Sequence, residues 1–303
     1  MSLRFEFVQH GEGDMSAVGS QPFSATGVIG QSFAVVSRNL GGFLLIALVV
    51  VIAMMIVGGI IGGIFFGGAM MAGMGGGLGD GNMDSASMMS FGITAVIGAI
   101  LMIVLILAIE QLGVAAITYG AVQDLRGRRA LVGECLSRGL SLMFPVLGVA
   151  LLYTLIVAAV PALVGYIVGL ISDPLGRTVS SVLQVIASVI LYVAIPVAVI
   201  ERPGTVASLK RSVDLTGGHR WRLVGMFLLI GLIMLVAGAA IALVVYLLVS
   251  ISTTLGFIVA FIVGIALGLF VIAYIAALPA VTYYNLRVAK EGIDITEIAG
   301  VFD

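Results

Sequence analysis

Residues 40–68 read LGGFLLIALVVVIAMMIVGGIIGGIFFGG, an apolar stretch without a single charged side chain. A helix needs about 20 consecutive apolar residues to cross the hydrocarbon core of a bilayer. The stretch is continuous rather than alternating, which favours a helix over a barrel strand. It is also too long for the apolar region of a signal peptide. We therefore expect a retained transmembrane helix here.

Five further apolar stretches have the length of a membrane span. Together with the first they predict an all-α polytopic membrane protein with six transmembrane helices. These helices form one domain over residues 24–286, flanked by an N-terminal tail (1–23) and a C-terminal tail (287–303). The five further spans are predicted at residues 91–122, 142–170, 179–200, 223–249 and 255–278.

The composition of the whole chain excludes two broad classes of protein. Of 303 residues, 61% are hydrophobic and 10% are charged, against about 25% charged in an average soluble domain. So few charges cannot cover a soluble core, and intrinsic disorder requires low hydrophobicity. The net charge of −1 gives no field that would attract nucleic acid.

The basic residues predict how the chain is oriented in the membrane. Of 14 Lys and Arg residues, all but Arg177 fall in the N-terminal segment, the loops after the second and fourth spans, or the C-terminal tail. Because cytoplasmic loops carry the excess of Lys and Arg, we expect both termini in the cytoplasm. Cys135 would then be a free thiol on the reducing side.

Three basic segments look alike, and each precedes an odd-numbered span. Apolar residues recur at helical spacing in residues 28–38, 131–140 and 206–213. This pattern predicts three short amphipathic helices on the cytoplasmic membrane surface, with Thr205 as an N-cap and Gly217 as a stop in the third. The result would be a three-unit internal repeat, typical either of some transporters or of plain duplication.

Two of the predicted cytoplasmic segments carry a family resemblance. Residues 212–223 read SVDLTGGHRWRL, and residues 283–294 read YYNLRVAKEGID. With the six-span layout, they resemble the bacterial membrane domain that is sometimes fused to glycerophosphodiester phosphodiesterases, and its stand-alone relatives. The resemblance implies the fold and a location in the inner membrane of a bacterium but no activity, and the fused hydrolase domain is absent. Asn285 stands where the family often has Asp. The motif residues are Ser212, Thr216, Gly217, Arg220, Trp221, Tyr284, Arg287, Glu291 and Asp294.

Glu110 is the one ionisable residue inside a predicted span. Carboxyl groups are costly in a bilayer and usually face a cavity or a partner, which makes Glu110 the candidate functional carboxylate. It would carry a proton or bind a cation, or else be a protonated structural group. Tyr153, Gln184 and Tyr192 are the polar residues of other spans that we consider as its partners.

Small residues recur every four positions in three spans, a spacing that lets helix backbones approach closely within one chain or between chains. They are Gly59, Gly63 and Gly67; Gly165 and Gly169; and Ala260, Gly264 and Gly268.

Residues 67–89 are rich in Gly and Met. Thioethers can hold Cu(I), but no Cys or His reinforces such a site, so we interpret the stretch as a flexible loop. No metal and no cofactor is predicted.

Opposite charges on the two motif segments suggest a contact between them. We hypothesise that Arg220 or Arg222 pairs with Glu291 or Asp294 and fixes the tail against the third amphipathic helix. The basic loops would also attract anionic headgroups, and Trp221 is typical of an interfacial anchor.

No catalytic triad, zinc spacing or phosphate loop is present in the sequence, and no catalytic residue is predicted. We therefore expect an integral membrane protein without enzymatic activity, acting as an accessory, structural or lipid-organising component. Its partners would be membrane lipids and either a larger membrane complex or a second copy. The alternative is a transporter for protons, ions or a lipid-like solute, which needs a cavity that reaches Glu110.

Overall fold

The computed structural model describes residues 23–67 and 85–292, and these form helices without any strand. Six helical stretches in this part of the chain are long and apolar enough to cross a membrane, which confirms the polytopic all-α class. The helices are α1 (Ala25–Arg38), α2 (Leu40–Ile61), α3 (Ser85–Leu125), α4 (Val132–Thr154), α5 (Val160–Gly169), α6 (Asp173–Ile190), α7 (Ala194–Ile200), α8 (Thr205–Thr216), α9 (Arg220–Ile251) and α10 (Thr253–Glu291).

The long helices form three hairpins, namely α2 with α3, α4 and α5 with α6, and α9 with α10. Helices α1 and α8 lie at one end of the bundle, beside the last turns of α3 and α10. We call this the charged end. The opposite end, where α5 turns into α6 and α9 turns into α10, is called the hairpin end.

The buried core occupies the half of the bundle at the charged end. It combines the first turns of α2 and α4 with the last turns of α3 and α10, and α7 crosses it. Glycines bring α3 close to both α4 and α2. A Cβ atom on Gly139 of α4 would lie 2.7 Å from the carbonyl oxygen of Leu112 in α3, and one on Gly120 of α3 would lie 2.7 Å from the Phe43 ring of α2. These side chains pack as a single unit.

The helices make few contacts between hairpins in the other half. Helix α9 buries only Leu223 and Met226, both in its first two turns. In α10, all buried residues except Gly256 lie from Ala273 onwards. Glycines make the contacts within each hairpin, as where Phe65 covers Gly98. Each hairpin therefore holds itself together but leaves much of its apolar surface exposed.

Two of the three predicted amphipathic helices are separate helices. The first is α1, which ends at Asn39, and the third is α8, which ends at Gly217 as expected. Thr205 is the first helical residue of α8 rather than its N-cap, a position that Gly204 takes with φ of 97°. The prediction of a separate second helix over residues 131–140 is wrong. This segment forms the first turns of α4, because no residue comparable to Asn39 or Gly217 separates it from the span.

Other boundaries also differ from the prediction. The segment between the predicted third and fourth spans is helical from Asp173 onwards, since Pro174 fits the first turn of a helix. Residues 287–291, expected in the C-terminal tail, are the last turn of α10.

Prolines explain two irregularities in the spans. The fourth span is interrupted at residues 191–193, just before Pro196, which has no amide hydrogen to continue the helical pattern. Helices α4 and α5 are joined by a π-helical turn, Leu155–Ala159, shortly before Pro161.

The predicted rows of small residues differ in whether they form close helix contacts in the structure. Gly165 and Gly169 pack within the α5–α6 hairpin, because a Cβ on Gly176 would lie 2.4 Å from the carbonyl oxygen of Gly165 and 2.6 Å from the Cα of Gly169. The other rows have open space where a Cβ would stand, so their packing between chains stays a prediction. Those open glycines are Gly59, Gly63, Gly67, Gly264 and Gly268.

Part of the Met-rich stretch and the motif residue Asp294 lie outside the described residues.

Candidate functional site

The interruption of the fourth span leaves one backbone carbonyl without its helical partner. The amide of Ala194 donates to Leu191 at 3.0 Å instead of to Ile190. Ser212 Oγ of α8 donates to the carbonyl oxygen of Ile190 at 3.1 Å. Thr216 Oγ1 lies at the same distance from this oxygen and shares its proton between it and the carbonyl oxygen of Ser212, at 2.9 Å. Because a buried carbonyl without a partner is costly, these two motif residues stabilise the break and fix α8 against it.

Glu201 lies directly after α7, and its carboxylate accepts hydrogen bonds from two other helices as part of a charged network. Arg211 of α8 donates through Nε to both carboxylate oxygens, at 3.3 and 3.1 Å. The hydroxyl group of Tyr283 in α10 donates to Oε1 of the same carboxylate at 2.7 Å. A single carboxylate therefore links α8 with α10.

Glu291 completes this network from the last turn of α10. It accepts hydrogen bonds from Arg211 Nη2 and from Arg287 Nε, the latter at 2.8 Å. Arg287 also donates to the hydroxyl oxygen of Tyr283 at 3.2 Å. We call Glu201, Arg211, Tyr283, Arg287 and Glu291 the clamp. Its two carboxylates balance its two guanidinium groups.

The electrostatics of the clamp favour its charged form. Burial acts to lower the pKa of the Arg211 guanidinium, but the hydrogen bond to Glu291 and the charges of Glu201 and Glu291 outweigh burial. The pKa of Arg211 is therefore raised above its usual value. Since the clamp residues satisfy one another, the clamp is suited to holding helices together rather than to chemistry.

The hypothesis that Arg220 or Arg222 pairs with Glu291 is wrong, because Glu291 has other partners. Glu291 binds Arg211 and Arg287, while Arg222 donates to the carbonyl oxygen of Phe23 at 3.2 Å. Arg220 is exposed, and the neighbouring Trp221 is 87% exposed. The predicted contact between α8 and the end of α10 exists, but it runs through other residues.

Lys290 makes a further contact between these two elements. Its ammonium group donates to the carbonyl oxygen of Asp214, in the last turn of α8. Gly217 ends the helix here, and a Cβ on it would lie 3.4 Å from the Lys290 nitrogen. A cation at the C-terminal end of a helix satisfies its free carbonyls. Tyr284, another motif residue, is half-buried on α10 nearby.

The charged end also holds α1 in place. Arg38 binds Asp124 at the end of α3 through two nitrogens, with Nη2 at 2.5 Å and Nε at 3.2 Å from Oδ2. Asn39 donates to the same carboxylate at 2.7 Å. Asn285 of α10 donates to the side-chain oxygen of Gln31 at 2.8 Å. The side-chain amide of Asn285 therefore links α10 directly to α1.

Glu110 lies apart from all of these contacts. It is exposed on α3, and its carboxylate makes no hydrogen bond or ion pair with the residues that the structure describes. Its predicted partners are engaged elsewhere: Tyr153 interacts with Ser188, and the Tyr192 ring packs edge-on against Phe227 with centroids 4.7 Å apart. The structure does not bring the predicted polar residues of the spans together around Glu110.

Sequence reasoning missed Glu201, Arg211 and Tyr283 as site residues. In the sequence, Arg211 was used only as one of the basic residues that predict the orientation in the membrane. Glu201 lies at the end of an apolar span, with no motif around it. Tyr283 is part of the quoted tail motif, which was the one signal that pointed to it. In the described ranges, no cluster of three His, Cys, Asp or Glu residues could hold a metal ion.

The fold defines a helical membrane protein with six candidate spans and an ion-paired clamp at one end. No protein-family model, curated protein or solved structure matches the chain.

Proposed function

We propose that this protein is a non-enzymatic accessory component of a membrane complex, and that the exposed surface of α3 around Glu110 binds a helix of the partner. In this proposal the protein lies in a bacterial inner membrane with the charged end in the cytoplasm. The observation that carries the proposal is Glu110, an exposed carboxylate without a partner among the described residues.

The depth of Glu110 is the first supporting step. It lies 14 residues before Asp124, which is paired with Arg38 at the charged end. At 1.5 Å per helical residue, this places Glu110 roughly 21 Å along α3 from the charged end, within the hydrocarbon core. A carboxylate at this depth needs a hydrogen-bond donor, and a polar side chain on a partner helix supplies one.

The surroundings of Glu110 are the second supporting step. On the same helix, Ile103 is 58% exposed and Ile100 is 58% exposed, so the carboxylate sits at the edge of an apolar surface. Adjacent Gln111 is buried, and its side-chain oxygen has no partner among the described residues. The apolar surface gives a partner helix an area to pack against, and the single polar group within it fixes the position at which that helix binds.

The test is co-purification of a partner in a mild detergent. A photo-reactive phenylalanine at Ile103 should crosslink one stoichiometric membrane protein, and Glu110→Gln should reduce that crosslink several-fold. Ile100→Leu, which keeps an apolar side chain on the same helix, is the control and should leave the crosslink unchanged. An equal crosslink yield from Glu110→Gln would contradict the proposal.

A carrier is the second candidate function, and one observation favours it. Helix α6 has a polar stripe at helical spacing: Arg177, Ser181, Gln184 and Ser188. Ser188 interacts with Tyr153 of α4, which extends the stripe towards the core. Proteoliposome flux of protons, ions or lipid-like solutes would support this function, and we expect none.

A further inference from the structure

We propose that the groove between α5 and α6 at the hairpin end binds a phospholipid with a phosphoethanolamine headgroup. In this assignment Arg177 binds the phosphate and Asp173 binds the ammonium group. The site lies on a different hairpin from Glu110 and does not depend on the proposed partner.

The groove follows from the way α5 and α6 meet. Their backbones are in contact at Gly165 and Gly176, so the two rows of larger side chains stand apart as walls. The space between them is about 610 Å³, within the usual range for a small-molecule site. Its lining is Ala162, Gly165, Tyr166, Gly169, Leu170, Asp173, Gly176, Arg177, Ser180 and Ser181.

The charges in the groove are complementary to a zwitterion. Asp173 and Arg177 lie four residues apart on α6, so they stand on one face of the helix with Cβ atoms about 5–6 Å apart. Neither makes an ion pair within the described part of the chain. A phosphate and an ammonium group joined by two carbons have a comparable separation, and each would meet the opposite charge.

The position in the membrane fits a lipid rather than a soluble molecule. Asp173 begins the fourth candidate span, and Arg177 lies one turn further in, at the level expected for a headgroup. Ser180, a turn deeper, carries a hydroxyl group that can donate to an ester carbonyl. Tyr166 and Leu170 on the opposite wall are 69% and 71% exposed, which leaves apolar surface for an acyl chain.

Arg177 is also the one basic residue placed away from the charged end among the described residues. Orientation in the membrane does not require it there, because the excess of Lys and Arg at the other end already sets the topology. A lone cation beside an unpaired acid is accounted for by a ligand that carries both charges.

The experiment titrates detergent-solubilised full-length protein with dihexanoyl phosphatidylethanolamine, phosphatidylglycerol and phosphatidylcholine, and measures bound lipid by native mass spectrometry. We expect phosphatidylethanolamine to bind about tenfold more tightly than the other two, because only its headgroup is both positively charged and able to donate N–H hydrogen bonds to Asp173. Asp173→Asn should remove the preference over phosphatidylglycerol. Arg177→Gln should weaken phosphatidylethanolamine binding about tenfold, whereas Arg129→Gln, a control outside the groove, should leave phosphatidylethanolamine binding unchanged.

Equal affinity of the wild-type protein for all three lipids would overturn the proposal, whatever the variants do. An unchanged preference in Asp173→Asn, with the melting temperature of the wild type, would also overturn it. Neither result bears on the Glu110 crosslink, so the two proposals fail separately.

Discussion

The two halves of this bundle differ in how their helices pack. At the charged end, α1, α8 and the ends of the long helices interlock through the clamp, the Arg38–Asp124 pair and a buried core. At the hairpin end, each hairpin packs only on itself over much of its length. In a membrane, apolar surface alone does not drive helices together, because lipid is equally apolar. Small residues and polar contacts decide which half packs.

The largest expected effect comes from matched glycine substitutions in the two halves. Gly139→Leu would push into the backbone of α3, because its Cβ atom would lie 2.7 Å from the carbonyl oxygen of Leu112. We expect a loss of about 3 kcal/mol of stability, measured as a lower melting temperature in detergent. Gly264→Leu meets open space and should change stability by less than about 1 kcal/mol. Equal losses from both variants would remove the distinction between the halves.

The next effect tests the clamp. Arg211→Ala leaves Glu201 and Glu291 without their shared cation, and we expect a loss of about 2 kcal/mol. The control is Arg220→Ala, an exposed residue at the same end, which should melt like the wild type. If both variants melted alike, the clamp would not stabilise the charged end.

A smaller effect is expected at the break in the fourth span. Ser212→Ala and Thr216→Val should each cost little alone, because the other hydroxyl group still reaches the Ile190 oxygen. The double variant should cost about 1–2 kcal/mol more than the two single variants together. Additive losses in a double-mutant cycle would show that the two hydroxyl groups do not share this carbonyl.

The smallest effect is a pH dependence at His219, where α9 begins. Burial lowers the pKa of His219, and the nearby charges of Arg222 and Lys290 lower it further, against a hydrogen bond to the Gly217 backbone. Its folded pKa is below the unfolded value, so its contribution is present above about pH 6.5 and is lost as the pH falls. Melting temperatures from pH 7.5 to 5 should fall slightly more in the wild type than in His219→Asn. Parallel pH profiles would contradict this.

Hydropathy was enough to predict the spans, and helical spacing with a stop residue was enough for α1 and α8. The same spacing failed for residues 131–140, because whether a helix ends depends on local breakers rather than on amphipathicity. The motif residues Ser212, Thr216, Arg287 and Glu291 make contacts in the structure, but the sequence did not predict their partners Ile190, Glu201 and Arg211. Those pairings depend on how α7 and α8 meet α10, which no spacing along the chain encodes.

The central claim is that the charged half is one packed unit whereas the hairpin ends stand apart. The most direct test is the distance distribution between spin labels by double electron–electron resonance, in a Cys135→Ser background in detergent. Labels at Thr26 and Val206 should give a narrow distribution, and labels at Ile171 and Ile251 should give a broad one that narrows in lipid nanodiscs. Equally narrow distributions for both pairs in detergent would contradict the account.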